Sequence, residues 1–316
     1  MYDAIIIGAG SAGLTASIYA SRRTLKTLVI SQDIGGQAGT ANDIENYPGL
    51  GLISGAELMM KFQTQAKKFG AEFLSDEVIK IEKSKDKFLV KTSGKEFETL
   101  TVILAAGLAH RHLDVPGEEK LIGRGISFCA TCDAPLYKNK VTAVVGGGNS
   151  ALDAVLLLSK FCPKVYLVHR REEFTGEEIV IKQIKEAKNI ELILNATVEK
   201  FEGKDRLEKM IVKNLKDNAQ KELAVQGVFI EVGFIAKTDW LGNLVKLDEK
   251  KQVIINDKCE TSQPGVLAAG DLTTTSYKQV VISAGEGAKA ALSAYKYLQD
   301  KGLIRGASVD WGQIKK

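Results

Sequence analysis

Residues 2–22 read Tyr2-Asp3-Ala4-Ile5-Ile6-Ile7-Gly8-Ala9-Gly10-Ser11-Ala12-Gly13-Leu14-Thr15-Ala16-Ser17-Ile18-Tyr19-Ala20-Ser21-Arg22. The run over 2–7 is almost continuously apolar, which suits a strand buried on both faces of a parallel sheet. Gly8, Gly10 and Gly13 then stand at GxGxxG spacing, and residues 11–22 continue as a helix. Such glycines allow a tight turn and let the backbone approach a pyrophosphate, whose charge sits at the helix N-terminus. A second strand is predicted at residues 28–30 and runs into Ser31-Gln32, so the usual acidic partner of a ribose 2′-hydroxyl is missing. The motif predicts a nucleotide site and leaves the nucleotide open.

The same pattern returns far downstream. Residues 140–145 read as a strand, Gly146-Gly147-Gly148-Asn149-Ser150-Ala151 as GxGxxA, 149–161 as a helix and 164–168 as a strand. That separation is too long for a solenoid repeat and fits a second nucleotide-binding domain. Its second strand ends at His169-Arg170-Arg171, where arginines favour a ribose 2′-phosphate over a bare hydroxyl. A solvated basic turn and a satisfied surface histidine are the plainer alternatives.

Between the two signatures stands Cys129-Ala130-Thr131-Cys132-Asp133. A two-residue spacer lets two thiols close and reopen a disulfide with little backbone movement, and it commonly lowers one thiol pKa. Asp133 beside them is suited to shuttling protons during exchange. Half a zinc site or two buried thiols would be the alternative. Cys162 and Cys259 form no second close pair, so they read as inert core or surface residues.

The rest of the chain sets limits. It has 316 residues, a formal net charge of +4 and 45% hydrophobic content, enough for two cored domains. Such a charge is no footprint for nucleic acid. No apolar run approaches the roughly 20 residues of a membrane span, and Met1-Tyr2-Asp3 lacks the basic flank of a signal peptide, so we expect a cytoplasmic protein. A helix is expected over 55–69 and a meander over 72–104. The stretch Gln263 to Asp271 reads as turn, strand and a terminal acid, followed by a helix over 279–298. Residues after about 237 carry no complete signature and are expected to complete the first domain. The expected fold is α/β, with two Rossmann-like three-layer domains, the second inserted into the first. Their expected bounds are 1–112 with 237–316, and 113–236.

Five motifs in order resemble the low-molecular-weight thioredoxin reductases of the flavoprotein disulfide reductase family, over essentially residues 1–300. They are Gly8–Gly13; Gly35-Gly36-Gln37 with Glu45-Asn46-Tyr47-Pro48-Gly49; Cys129–Asp133; Gly146–Ala151 with His169-Arg170-Arg171; and Ala269-Gly270-Asp271 with Lys278-Gln279. The resemblance implies FAD against Gly8, Gly10, Ser11, Ala12, Gly13, Gly35, Gly36, Gln37, Asn46, Ala106, Gly107, Gly270, Asp271, Lys278, Gln279 and Val280. It implies NADPH against Gly146, Gly148, Asn149, Ser150, Ala151, His169, Arg170 and Arg171, and catalysis by Cys129, Cys132 and Asp133. By the same analogy Cys132 faces the flavin and Cys129 attacks the disulfide of thioredoxin or a thioredoxin-like or glutaredoxin-like partner. A homodimer and a rotation of the inserted domain about hinges near 109–115 and 234–239 are further expectations.

The chain departs from the family at three places. Thr175 stands where a third arginine usually grips the 2′-phosphate, and Glu172, Glu173, Glu177 and Glu178 surround it. One lost guanidinium is worth roughly 1.5–3 kcal/mol, or about tenfold to a hundredfold in affinity. Lys278 replaces an arginine and loses its planar fork. The tail 304–316, with Trp311, runs past the usual end. Competing readings are a dithiol oxidase, a reductase fed by NADH, ferredoxin or another donor, and a redox sensor without turnover.

Overall fold

The computed structural model describes residues 1–41 and 44–304, apart from the Cys132 side chain. The tail beyond Ile304, which runs past the family's usual end, lies outside the described residues. The chain opens with strand β1 (Tyr2–Ile7), helix α1 (Ser11–Arg22) and strand β2 (Thr27–Ser31). A short helix α2 (Gly36–Gly39) and helix α3 (Gly55–Lys68) follow, α3 capped by Ser54 Oγ, which accepts the Glu57 N–H at 3.2 Å. Strands β3 (Glu72–Ser75), β4 (Val78–Ser84), β5 (Lys87–Thr92) and β6 (Glu96–Leu104) complete this segment.

Next come β7 (Ala109–His110), α4 (Glu118–Leu121), β8 (Ile126–Ser127) and α5 (Ala130–Asp133). The second strand–turn–helix is β9 (Val141–Gly146) and α6 (Asn149–Ser159), continued by β10 (Lys164–Val168), α7 (Glu178–Glu186) and β11 (Ile190–Ile193). Strands β12 (Ala196–Glu202), β13 (Lys209–Asn214), β14 (Gln220–Ala224), β15 (Gly227–Glu231) and β16 (Phe234–Ile235) follow. The chain returns with β17 (Val266–Ala268) and α8 (Val280–Asp300).

Two compact units result: Met1–Leu108 with the chain from Ala236 onward, and Ala109–Ile235. The second unit starts at Ala109, ahead of 113, and ends at Ile235, just inside 236, because β7 pairs antiparallel with β16, Phe234 opposite His110, and both fold with it. In the first unit β3, β2, β1 and β6 are parallel neighbours. The end of β6 also pairs with β17 and its start with β5, which leads to β4 as a meander. Alternate β1 residues serve two cores. Ala4 and Ile6 pack with α1, α3 and α8, while Ile5 and Ile7 pack with the meander side and Leu241. Helix α1 is nearly all buried and small, because α8 lies directly on it. A Cβ on Gly287 would stand 2.1 Å from Ala12 O.

The second unit repeats the design, its parallel sheet running β11-β10-β9-β15-β8. One face carries α6 and α7, and the other carries the antiparallel meander β12-β13-β14. Among the described residues, no helix is long and apolar enough to cross a membrane.

Candidate active site with two glycine loops and a dithiol

The first glycine loop joins β1 to α1 at the carboxyl ends of the strands, where open α/β sheets place ligands. Gly8 donates to Ile30 O at 2.8 Å and has φ +102°, and a Cβ there would fall 2.3 Å from Ala105 O. Gly13 is held by sterics instead, since its Cβ would lie 1.9 Å from Gly8 O. Gly10 is different. A Cβ there meets only Gly35 O, at 3.8 Å, so among the described residues nothing explains its lack of a side chain. It is the N-cap of α1, with no side-chain cap and no acid in the first turn. A helix start with no side-chain cap among the described residues and open space above it fits a pyrophosphate.

Neighbouring loops converge on this rim. Gly35 N–H donates to Ala9 O at 2.8 Å, and Gly36 N–H to Asp33 Oδ1 at 3.2 Å, which holds Gly35-Gly36-Gln37 against the first loop. Gln37 Nε2 reaches Leu108 O at 3.5 Å. Ala106 and Gly107 follow β6 after Ala105, and a Cβ on Gly8 would lie 2.9 Å from Ala106 Cα. Gly270 stands beside Ala12, where its own Cβ would be 2.9 Å from Ala12 Cβ. Ser11 and Ala12 are buried in the first turn of α1.

Behind this rim sits a residue that the motifs did not point to. Glu286, 5% exposed on α8, accepts the Gly270 N–H at 2.7 Å and the Thr275 hydroxyl. It fixes the loop that aims Asp271. The sequence signal was available: a single acid inside the small-residue stretch Ala284-Gly285-Glu286-Gly287-Ala288. Asp271 accepts from Ser283 Oγ at 3.1 Å, and burial raises its carboxyl pKa. Lys278 Nζ donates to Asp271 O at 3.1 Å and Thr273 O at 2.7 Å, and burial lowers its pKa. A lysine therefore serves as a backbone clamp here, a task that needs no planar fork. Gln279 caps α8 ahead of Val280, and its Oε1 accepts from Asn46 Nδ2 at 3.1 Å.

In the second unit Cys129 is disulfide-bonded. Its N–H donates to Ser127 Oγ at 3.0 Å, and its Sγ lies 3.4 Å from Thr131 Oγ1. Asp133 N–H closes the turn of α5 on Cys129 O at 3.2 Å. Tyr137 follows, its hydroxyl pKa raised by burial and then by the Asp133 charge. Cys162 and Cys259 are buried free thiols, and burial raises both, Cys259 to about 11. Thiols held protonated in this way are inert in exchange. No group of three or more His, Cys, Asp or Glu suited to a metal occurs among the described residues.

Glu231, at the end of β15, accepts the Ala130 N–H beside Cys129, and burial raises its pKa to about 7. A carboxyl shifted upward costs nothing below the ordinary value near 4.5. The cost grows as pH rises through the interval and is complete above 7. Stability should therefore fall across pH 4.5–7, and Glu231→Gln should remove that slope. Urea unfolding of both proteins at pH 5 and pH 8 checks this. The variant should gain up to about 3 kcal/mol on wild type at the higher pH, and an equal gain at both pH values would refute it.

Glu231 also pairs with the second glycine loop. It lies opposite Gly146, whose φ is +154° and whose Cβ would meet Glu231 O at 2.3 Å. Gly148 caps α6 with no side-chain cap and no acid in the first turn, and a Cβ there meets only Thr175 Oγ1, at 3.8 Å. Ser150 is exposed in that turn and Ala151 is buried behind it. Two expected ligand groups are engaged within the protein. Asn149 Oδ1 accepts the Glu177 N–H at 2.9 Å, and the His169 ring fills the space over Gly147 with Nε2 3.1 Å from Glu173 O. Burial lowers the His169 pKa, so the ring is a neutral packing element. Arg170 and Arg171 are exposed, and among the described residues neither enters an ion pair; Glu172 pairs with Lys216 instead. Arg171 to Thr175 line a cavity of about 410 Å³ beside this loop.

The family profile described as "Pyridine nucleotide-disulphide oxidoreductase" matches residues 2–287. The chain is 37% identical over 302 residues to the thioredoxin reductase of Bacillus subtilis (strain 168), covering 95% of this chain and 96% of that protein. It is 38% identical over 299 residues to that of Treponema pallidum (strain Nichols), covering 94% and 97%. Among solved structures, Lactococcus lactis thioredoxin reductase superposes with a TM-score of 0.84 at 35% identity, over 95% of this chain and 100% of that one.

Proposed function

The chain belongs to the pyridine nucleotide-disulphide oxidoreductase family, and on that footing we propose that it is a thioredoxin-disulfide reductase using FAD and NADPH. The observation that carries this reading is the disulfide at Cys129 on the turn of α5, in the same compact unit as the second glycine loop. The open N-terminus of α1 at Gly10, with Gly8, Ser11, Ala12 and Gly13, would hold the FAD pyrophosphate. Gly35, Gly36, Gln37, Asn46, Ala106, Gly107, Gly270, Asp271, Lys278, Gln279 and Val280 would line the remainder of that site. Gly146, Gly148, Ser150 and Ala151 would hold the nicotinamide nucleotide, with Arg170 and Arg171 at its 2′-phosphate and Asn149 and His169 shaping the loop. FAD, when bound, supplies two-electron carriage between the nicotinamide hydride and the disulfide.

The protein's own residues then perform the exchange. With the dithiol reduced, the Cys129 thiolate attacks one sulfur of thioredoxin's disulfide and forms a mixed disulfide. The displaced sulfur leaves as a thiolate and takes from Asp133 the proton that the Cys129 thiol gave up. Cys132 next passes its proton to Asp133 and attacks Cys129 Sγ, closing the Cys129–Cys132 disulfide and releasing the second thioredoxin sulfur, which takes that proton. Two electrons have moved from one dithiol to the other, and the protons balance. Exposed Pro135 and Leu136, just beyond α5, offer an apolar foothold for the partner.

The test is to mix the flavin-loaded protein with NADPH or NADH and follow bleaching, then add thioredoxin and a disulfide dye. Bleaching by NADPH and dye reduction that depends on thioredoxin are expected. Bleaching by neither nucleotide would overturn the donor assignment in favour of ferredoxin or another reductant. We also place the protein in the cytoplasm as a homodimer. Exposed Leu52 and Met60, before and on α3, support a protein contact, and sedimentation velocity of the same preparation tests it.

A further inference from the structure

The place where the family resemblance puts a third guanidinium is filled by Thr175. Its N–H and hydroxyl both donate to Gly147 O, at 2.8 and 3.2 Å, so it braces the glycine loop and brings no charge. A cation reaches the same cavity wall from elsewhere. Asn195 N–H donates to Arg171 O at 3.2 Å, and Leu215 N–H donates to Asn195 O at 2.6 Å. Those two backbone bonds tie the β13–β14 turn to the end of the arginine segment. The turn is also closed on itself, with Asn214 N–H bonded to Ala219 O at 2.9 Å and Lys216 N–H to Asn214 Oδ1 at 2.8 Å. Lys216 is thereby brought to Glu172, a residue of that cavity's wall, its Nζ 3.1 Å from Glu172 Oε2.

We propose that Lys216 supplies the third positive charge at the 2′-phosphate end of the nicotinamide nucleotide site and sets the preference for the phosphorylated dinucleotide. The inference rests on the second glycine loop being that site. Both Lys216 and Glu172 are well exposed, at 61% and 71% of the side chain, so their mutual pairing is weak and easily exchanged. A dianionic phosphate between Arg170, Arg171 and Lys216 competes well for the ammonium. Glu172 then acts as a parking place for the lysine and a filter against looser anions. The acidic run 172–178, which by composition argues against a phosphate, is in this way partly offset by a lysine far away in sequence.

Equilibrium binding separates this from a structural role. Oxidised, flavin-loaded protein is titrated calorimetrically with NADP⁺ and with NAD⁺. Wild type should bind NADP⁺ at least tenfold more tightly. Lys216→Ala should weaken NADP⁺ by roughly tenfold, the effect of one lost charge-assisted contact, and shift NAD⁺ less than twofold. Lys216→Arg should restore NADP⁺ affinity, and Glu172→Gln should tighten NADP⁺ by freeing the ammonium. Equal weakening of both nucleotides by Lys216→Ala would show a structural role and overturn the proposal. Unchanged NADP⁺ binding would overturn it too, while leaving the reductase assignment intact. Absence of binding by either nucleotide would remove both the donor assignment and this inference.

Discussion

Replacing Cys129 by serine should stop thioredoxin reduction, by on the order of a thousandfold or more, and leave bleaching of the flavin by the nicotinamide nucleotide in place. The thiolate is the nucleophile in exchange, and a serine hydroxyl at neutral pH cannot attack a disulfide sulfur. In the proposed mechanism flavin reduction precedes any use of Cys129 as nucleophile, so the two half-reactions part at this residue. Stopped-flow bleaching and a steady-state thioredoxin assay on one preparation read both. Turnover that persists in Cys129→Ser would remove the dithiol from the mechanism. Cys162→Ala serves as the control, since that thiol is buried, donates to Tyr137 O at 3.3 Å, and burial keeps it protonated.

The two glycines Gly10 and Gly13 should fail in different ways when each is changed to alanine. A Cβ on Gly13 would overlap Gly8 O at 1.9 Å, backbone against backbone, with no flexible atom to yield. Overpacking commonly costs about 1–3 kcal/mol, and this overlap lies at or above the top of that range. Gly13→Ala should therefore unfold the first unit at markedly lower denaturant, with or without flavin. Gly10→Ala meets only one atom, at 3.8 Å, and should leave the flavin-free protein as stable as wild type. It should still lose flavin affinity on the order of a hundredfold, because the added methyl stands where the pyrophosphate approaches. Flavin titration of both apoproteins, with urea unfolding beside it, decides the matter. Full flavin affinity in Gly10→Ala would show that the pyrophosphate binds elsewhere.

Much of the architecture was legible because it is encoded locally. A continuous apolar run, a glycine turn and a small-residue helix specify a strand–turn–helix within some twenty residues, and helix α1 spans Ser11–Arg22 as the pattern predicts. The second loop at Gly146 and the dithiol at Cys129 follow the same logic, since turn geometry and spacer length are short-range constraints. Asn149 and His169 were legible as members of the second loop, but their contacts within the protein were not. Which face a side chain presents depends on the segment packed over it, here residues 173–177.

What tertiary structure alone decided are the contacts that arrive from other elements. Glu286 reaches the Gly270 loop from the middle of α8, and Lys216 reaches the Arg171 segment through Asn195 and the β13–β14 turn. Neither has a spacing that relates it to the motif it serves. Backbone conformation is set by neighbours a few residues away, whereas charge complementarity acts through space between whichever atoms the sheet order brings close. The sequence by itself therefore determined two glycine-loop folds and a dithiol. Packing decided how the Gly270 loop is held and which cations stand beside the second nucleotide loop.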